Sequence, residues 1–196
     1  MSNLILIKHS LPEMIQALPA NQWHLSQAGR NRCKPLAVKV AYYSPDVIVA
    51  SVEPKAAETA QIVAAHLNRT YHIVEGLHEH DRSNLDWVDK QQFEAQIAEF
   101  FKHPQALVMG KETANQAHER FARTITSLIE RYPNTNIAVV AHGTVITLFV
   151  ARAVGLEPFL LWQRLGLPSF VVLSLPGLEL ATVVESVEAE NNNYNT

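Results

Sequence analysis

The chain has 196 residues, of which 47% are apolar and 18% are charged, the composition of a globular protein with a sizeable core. A formal net charge of −3 gives no overall basic surface, so we expect no nucleic-acid partner. The single cysteine, Cys33, excludes an intramolecular disulfide and a cysteine-based zinc site. The sequence contains no signal-peptide pattern and no run of about 18 apolar residues, so we expect a cytoplasmic protein with no membrane partner.

The first part of the sequence predicts strands that alternate with helices. Strands are expected at Leu4–Ile7, Asp46–Ala50 and Tyr71–Val74, which are short apolar or β-branched runs. One helix is expected from the N-cap Ser26 to about Tyr43, and another from Pro54 to Leu67. This alternation indicates parallel strand pairing in an α/β sheet.

Prolines interrupt the first part of the chain at two places. The stretch Leu11–His24 contains two prolines, which predict an irregular loop, and its length predicts that the loop covers another part of the protein. Pro35 lies inside the first helical pattern, where the missing N–H predicts that the helix is kinked or split.

The middle of the chain has a different pattern. Residues 75–89 are polar and predict a loop with short turns. Two helices are expected after this loop, over residues 90–101 and 113–132. We interpret residues 75–132 as a small helical insertion beside the sheet rather than as a separate domain.

The last part of the chain returns to strands. Asn136–Ala141 predicts a buried strand. A helix is expected from about Val145 to Val154, with Gly155 closing it. Two further strands are expected over residues 169–175 and 180–184.

These elements predict a single α/β domain over residues 1–188. Its architecture would be three-layered, α/β/α, with a mostly parallel sheet and helices on both faces. Residues 189–196 are rich in asparagine and predict a flexible tail.

Two of the predicted buried strands end in histidine: His9 comes after Lys8 at the end of the first, and His142 directly follows Asn136–Ala141. Ligands of open α/β sheets bind beyond the carboxyl ends of the strands, so the two imidazoles are expected to face one crevice if the two strands are neighbours. Lys8 and Lys55 would bring positive charge there, and Gly143 would let the backbone approach a ligand closely. Cations, helix N–H groups and a neutral imidazole together favour phosphate as the ligand.

Several motifs of the chain resemble, in the same order, those of the histidine phosphatase superfamily, also called phosphoglycerate mutase-like. The family's Arg-His-Gly corresponds to Lys8-His9-Ser10, and its late His-Gly corresponds to His142-Gly143. The family's Ser-x-x-x-Arg-Ala-x-x-Thr-Ala corresponds to residues 51–60, with Lys55 in place of arginine. Further counterparts are Leu25–Gly29, Leu77–Glu79 and Gly110–Thr113. The order and approximate spacing hold from about Leu4 to Gly155.

The resemblance implies a phosphatase that hydrolyses a small phosphomonoester without a metal or another cofactor. His9 would be the nucleophile and form a phosphohistidine. His142 would stabilise the transferring phosphoryl group. Glu79 would be the general acid for the leaving oxygen and then the base for water. The partner implied is a small-molecule phosphate ester.

The phosphate-binding residues implied by the resemblance depart from the family pattern. They are Lys8, Lys55, Ser10 and Gly143. Lysine keeps the positive charge of the two family arginines but lacks their planar fork, which binds phosphate through two parallel hydrogen bonds. Ser10 adds a Cβ and a hydroxyl beside the nucleophile. These changes favour phosphate binding over fast turnover.

Several alternatives stay open at this point. The fold could serve as a phosphate-ligand or regulatory binding module, or as a phosphomutase. His78 and His80 would be the ligands of a metal-dependent hydrolase. Glu75, Asp81 and Asp86 are alternatives for the general acid. The substrate and the oligomeric state are open too, with a homodimer among the alternatives.

Overall fold

A computed structural model describes residues 2–189, so the predicted tail lies outside the described residues except for Ala189. Its centre is one six-stranded sheet. The strands are β1 (Asn3–Lys8), β2 (Val47–Ala50), β3 (His72–Ile73), β4 (Ile137–Ala141), β5 (Ser169–Ser174) and β6 (Glu179–Val184). They lie side by side in the order β3-β2-β4-β1-β5-β6.

The sheet is mixed, with a parallel part and an antiparallel part. β1 to β4 pair in parallel, whereas β5 runs antiparallel to β1 and β6 antiparallel to β5. The short loop at Pro176-Gly177 joins β5 and β6 as the sequence predicts. The carboxyl ends of the four parallel strands therefore meet at one edge, where α/β proteins place their ligands.

Within residues 2–189, six α-helices surround the sheet, and one short 3₁₀ helix spans Ala20–Gln22. The α-helices are α1 (Gln27–Ala41), α2 (Pro54–His66), α3 (Lys90–Lys102), α4 (Ala114–Arg131), α5 (Gly143–Val154) and α6 (Pro158–Arg164). The first five lie within a few residues of their predicted positions. None of the described helices has the length and apolar character that crossing a membrane requires.

α6 is absent from the sequence prediction. It has only seven residues and buries one side chain, Leu161, so it shows no apolar periodicity. The signal that marks it is local. Glu157 accepts hydrogen bonds from the N–H groups of Phe159 and Leu160, and Pro158 occupies the first helical position.

The start of α1 confirms Ser26 as an N-cap, because its Oγ accepts a hydrogen bond from the Gly29 N–H at 3.0 Å. The alternative that Pro35 splits this helix is wrong, since α1 continues through it without a break. Proline removes one backbone hydrogen bond. The buried side chains of Leu36 and Val40, on the face that packs against the sheet, hold the helix together across that gap.

The continuous apolar run of β1 reflects burial on both of its faces. Leu4 and Leu6 belong to a core shared with α3, α4 and α5. Ile5 and Ile7 belong to a second core shared with α1 and α2. Each such side chain, when fully buried, contributes roughly 1.5–3 kcal/mol of transfer free energy. The two cores confirm the three-layer architecture.

Candidate active site

The two histidines predicted to share a crevice are neighbours in the structure. In the parallel pairing of β1 with β4, Lys8 lies opposite Ala141, so the next residue of each strand is a histidine. The His9 N–H also donates to the Ala141 carbonyl oxygen at 3.0 Å. The ring centroids of His9 and His142 are 5.2 Å apart. Strand register alone therefore brings the two imidazoles together.

His9 is held in a form that suits nucleophilic attack. Its Nδ1 lies 2.7 Å from the Ser10 carbonyl oxygen, which can only accept, so Nδ1 carries the proton and Nε2 has a free lone pair. Burial lowers the pKa of His9 well below its ordinary value, and the neighbouring His142 and Lys55 lower it further. The imidazole is therefore neutral near pH 7.

His142 precedes α5 as its N-cap residue. Its Nε2 lies 2.8 Å from the Ser51 hydroxyl and 3.5 Å from a carboxylate oxygen of Glu53. Its Nδ1 is buried and has no hydrogen-bond partner in the described part of the chain. Burial and Lys55 lower its pKa well below the ordinary value. This ring therefore has one free polar atom.

Lys8 extends from β1 past the start of α5. Its ammonium donates to the Leu165 carbonyl oxygen and lies 6.0 Å from the centroid of the Trp162 ring. A Cβ on Gly143 would lie only 2.9 Å from Lys8 Cε, so glycine is what leaves room for this side chain. Burial lowers the pKa of Lys8 from 10.5 to about 8, while the charge of Glu79 opposes that change.

Lys55 stands in the first turn of α2 and is 5% exposed. Its ammonium donates to the Ala20 carbonyl oxygen at 2.6 Å and to a carboxylate oxygen of Glu53. The lysine that was predicted to bind phosphate is therefore already paired with a carboxylate.

Glu79 reaches the same region from the polar loop of residues 75–89. Its carboxylate accepts hydrogen bonds from the N–H groups of Thr144 at 3.1 Å, Val145 at 3.3 Å and His80 at 2.9 Å. Burial by itself raises the pKa of Glu79. The Arg82 guanidinium, His142 and the backbone donors outweigh it and hold the pKa well below its usual range. Glu79 is thus an ionised carboxylate at the N-terminus of α5.

The structure places Ser10 behind the site rather than in it. The side chain is fully buried, and its hydroxyl donates to the Gly29 carbonyl oxygen at 2.7 Å. Its N–H donates to the Thr59 hydroxyl at 3.0 Å. These bonds join the turn after β1 to α1 and α2.

Sequence reasoning gave no role to Glu53, Arg82 or Trp162, all of which line the site. Arg82 Nη2 lies 3.6 Å from a carboxylate oxygen of Glu79, and its guanidinium lies over the ring of Phe93 at 4.9 Å. One signal could have found Glu53: it follows β2 at the edge that also carries the two histidines.

A cavity of about 680 Å³ opens in front of His9. The loop of residues 11–24 forms part of its wall through Leu11, Pro12 and Met14, which agrees with its prediction as a covering loop. Phe93 from α3 and Trp162 from α6 line other parts. The lining of the cavity combines charged side chains with several apolar ones.

The alternative metal pair, His78 and His80, is not part of a larger ligand cluster. Among residues 2–189, no group of three or more histidine, cysteine or acidic side chains is arranged to hold a metal ion. The His80 ring packs against Phe100, with the centroids 4.3 Å apart, and its Nε2 lies 3.0 Å from the Glu112 carbonyl oxygen. His80 therefore contributes to packing beneath the loop.

Known proteins share both the sequence pattern and the fold. The family model described as histidine phosphatase superfamily (branch 1) matches residues 8–179. A Bacillus subtilis protein named uncharacterized phosphatase PhoE is 23% identical over 141 residues, which cover 72% of this chain and 70% of that protein.

Two solved structures show the same fold at low identity. A phosphoserine phosphatase mutant from Entamoeba histolytica, solved in complex with phosphoserine, has a TM-score of 0.77 and is 18% identical, covering 94% of this chain and 97% of its own. A mycobacterial glucosyl-3-phosphoglycerate phosphatase solved with VO3 has a TM-score of 0.74 and is 18% identical, covering 96% and 99%. These relatives are consistent with a phosphoric monoester hydrolase of the histidine phosphatase type. The match over residues 8–179, in a chain with this fold and this pair of histidines, shows that the protein belongs to branch 1 of the histidine phosphatase superfamily.

Proposed function

We propose that the chain hydrolyses a small phosphomonoester through a phosphohistidine intermediate on His9. The observation that carries this proposal is the state of His9, a neutral imidazole whose Nδ1 proton is fixed on the Ser10 carbonyl oxygen at 2.7 Å. Its free Nε2 lone pair is the nucleophile. The names of the relatives, which are phosphatases of several different esters, support the reaction class and leave the substrate open.

In the first step, the Nε2 lone pair of His9 attacks phosphorus and forms the P–N bond. The ester P–O bond breaks, and its electron pair goes to the leaving oxygen, which takes a proton from Glu79. The unliganded site holds Glu79 ionised. The negative charge of an arriving phosphoryl group raises its pKa, and a monoanionic ester can bring the proton itself.

In the second step, a water oxygen attacks phosphorus and transfers a proton to the Glu79 carboxylate. The P–N bond breaks, its electron pair returns to His9 Nε2, and inorganic phosphate leaves. Once phosphate has left, Glu79 gives this proton to solvent and is again ionised, as in the unliganded site. Phosphoryl transfer needs mainly alignment and stabilisation of the oxygen charges.

The groups proposed to stabilise those charges surround His9. Lys8 and Lys55 supply positive charge in place of arginines, and His142 supplies its unpartnered Nδ1. Gly143 supplies space and the N-terminal end of α5. Ser10 supports the turn that presents His9, since its hydroxyl is bonded to Gly29.

The test is release of phosphate from a generic aryl phosphate, with a chelator present, by the wild type and by His9→Ala. We expect the wild type to be active and the variant to lose at least about 10³-fold in kcat/KM, because covalent catalysis is removed. The matched control is His66→Ala, which changes an exposed histidine on α2 and should keep full activity. Equal hydrolysis by wild type and His9→Ala would contradict the nucleophile assignment. Loss of wild-type activity on chelation would instead support a metal-dependent enzyme.

A second candidate, a phosphate-ligand binding module with attenuated catalysis, is favoured by one observation. The ammonium of Lys55 is paired with the Glu53 carboxylate, which reduces the charge available for the transition state. This candidate predicts saturable binding of inorganic phosphate with no turnover of any ester. Calorimetric titration of phosphate into the wild type, beside the hydrolysis assay, separates the two.

A further inference from the structure

Glu53 is a carboxylate placed inside the candidate phosphate pocket. It is the N-cap residue of α2, but its side chain makes no capping hydrogen bond. The side chain is 5% exposed and lines the cavity in front of His9. One of its oxygens accepts from Lys55, and the other accepts from the Glu79 N–H at 2.8 Å and lies 3.5 Å from His142 Nε2.

Two of these contacts involve groups that the proposed function assigns to phosphate. Lys55 would neutralise a phosphoryl oxygen, and His142 would donate to one. In the present structure Lys55 is paired with the Glu53 carboxylate, whereas Glu53 lies 3.5 Å from the other nitrogen of His142, Nε2. Glu53 therefore acts on Lys55 as an internal anion.

The charges around the pocket show what this carboxylate does to the ligand. The charged groups that line the pocket are the cations Lys8, Lys55, Arg82 and Lys90 and the carboxylates Glu53, Glu79, Asp81 and Glu94. Its histidines, His9, His78 and His80, and the adjacent His142 have lowered pKa values. Four cations face four carboxylates, which leaves no net positive charge. A phosphate dianion carries about two negative charges above its second pKa of about 6. The pocket as built does not neutralise that ligand.

We propose that Glu53 is a specificity-determining residue that weakens the binding of phosphate dianions by competing with them for Lys55. This inference rests on the proposed function, because it takes the cavity as the phosphoryl site. Its functional consequence is easier release of inorganic phosphate after hydrolysis. The same charge favours substrates that enter as monoanions.

The first test is the affinity of Glu53→Gln for inorganic phosphate at about pH 7.5, where phosphate is mostly dianionic. Removal of a buried negative charge near the ligand should tighten binding about tenfold, measured both as competitive inhibition and by titration calorimetry. The matched control is Glu130→Gln, on the exposed face of α4, which should bind phosphate as the wild type does. A gain in affinity is a result that a purely structural role for Glu53 cannot produce.

Two further variants distinguish charge competition from support of Lys55. Glu53→Asp keeps the charge and should stay within about threefold of the wild type. The double variant Glu53→Gln/Lys55→Met removes both partners and so buries no unpaired charge. It should bind phosphate within about threefold of the wild type, whereas Lys55→Met alone should bind about 30-fold more weakly.

Unchanged or weaker binding in Glu53→Gln overturns the inference. A double variant as weak as Lys55→Met alone overturns it as well, and this comparison remains available if Glu53→Gln does not fold. Failure of the proposed function gives a different result, in which the wild type itself neither releases nor binds phosphate. Failure of the Glu53 inference can therefore be distinguished from failure of the proposed function.

Discussion

The candidate site has two walls that are built in different ways. The strand wall consists of Lys8, His9 and His142, which end or follow two neighbouring parallel strands. The loop wall consists of Glu53, Glu79 and Arg82, which come from two loops and are held by hydrogen bonds and ion pairs. In the proposed mechanism the strand wall supplies the nucleophile, and the loop wall sets the charge around it.

The two walls differ in what fixes the positions of their side chains. Strand register fixes the strand wall, because the pairing of β1 with β4 places Lys8 opposite Ala141 and so brings the two following histidines side by side. Nothing comparable fixes the loop wall. Its carboxylates are positioned by donors at the N-terminus of α5 and by nearby cations, Lys55 for Glu53 and Arg82 for Glu79.

The loop wall is tested most severely by Glu79→Gln. We expect kcat to fall about 100-fold, since an acid–base group is lost. The free energy of unfolding near pH 7 should fall by about 2 kcal/mol, because a carboxylate that accepts three backbone hydrogen bonds becomes neutral. Steady-state kinetics and urea unfolding measure the two effects.

The pH dependence of that stability has a definite sign. The pKa of Glu79 in the folded chain lies well below its ordinary value of 4.5. Its contribution is therefore full above about pH 4.5 and is lost as the pH falls towards the folded-state pKa. The stability difference between wild type and Glu79→Gln should shrink in acid. The matched control is Glu75→Gln, in an exposed position of the same loop; if it loses activity while Glu79→Gln keeps it, the roles are assigned to the wrong residue.

The junction between the strand wall and α5 is tested by Gly143→Ala. The added Cβ would lie 2.9 Å from Lys8 Cε and 3.2 Å from its Nζ, so the flexible lysine has to move. We expect phosphate to bind roughly fivefold more weakly, with a melting temperature close to that of the wild type because alanine favours the helix. Competitive inhibition by phosphate and a thermal melt measure both.

Gly177→Ala is the control for this substitution, because the nearest atom to its added Cβ is 3.6 Å away, an ordinary contact distance. Gly177→Ala should change neither the phosphate affinity nor the melting temperature. Unaltered phosphate affinity in Gly143→Ala would mean that the position of Lys8 does not matter to the ligand.

An effect of similar size on phosphate affinity concerns the charge of Lys8. Since burial lowers its pKa to about 8, the ammonium loses its proton as the pH rises through that value. Phosphate affinity of the wild type should fall roughly fivefold between about pH 7 and pH 9. Lys8→Arg should show a much flatter profile, because arginine stays charged throughout. Parallel profiles in the two proteins would exclude Lys8 as the titrating group.

Much of the fold could be predicted because its signals are local. Leu4–Ile7 is an uninterrupted apolar run, and Ser26 marks a helix start. The sequence also places His9 and His142 at strand ends, but only the structure shows that the two strands, β1 and β4, are neighbours.

Other features depend on contacts that no local pattern reveals. α6 is too short to show periodicity, yet it brings Trp162 into the site and the Leu165 carbonyl oxygen, just after it, to Lys8. The direction of the Ser10 hydroxyl depends on Gly29, which is distant in sequence. The sequence shows Glu53 and Lys55 as two charged residues close together, but only the structure shows that their side chains are paired and buried.

The most direct test of the central claim is to trap the covalent intermediate. The wild type would be mixed with an aryl phosphate, quenched within the first turnovers, digested and analysed by mass spectrometry under conditions that preserve phosphohistidine. We predict that the peptide carrying His9 gains one phosphoryl group, and that the corresponding peptide of His9→Ala does not. Turnover by the wild type with no phosphoryl group on His9, or with the group on another residue, would contradict the account.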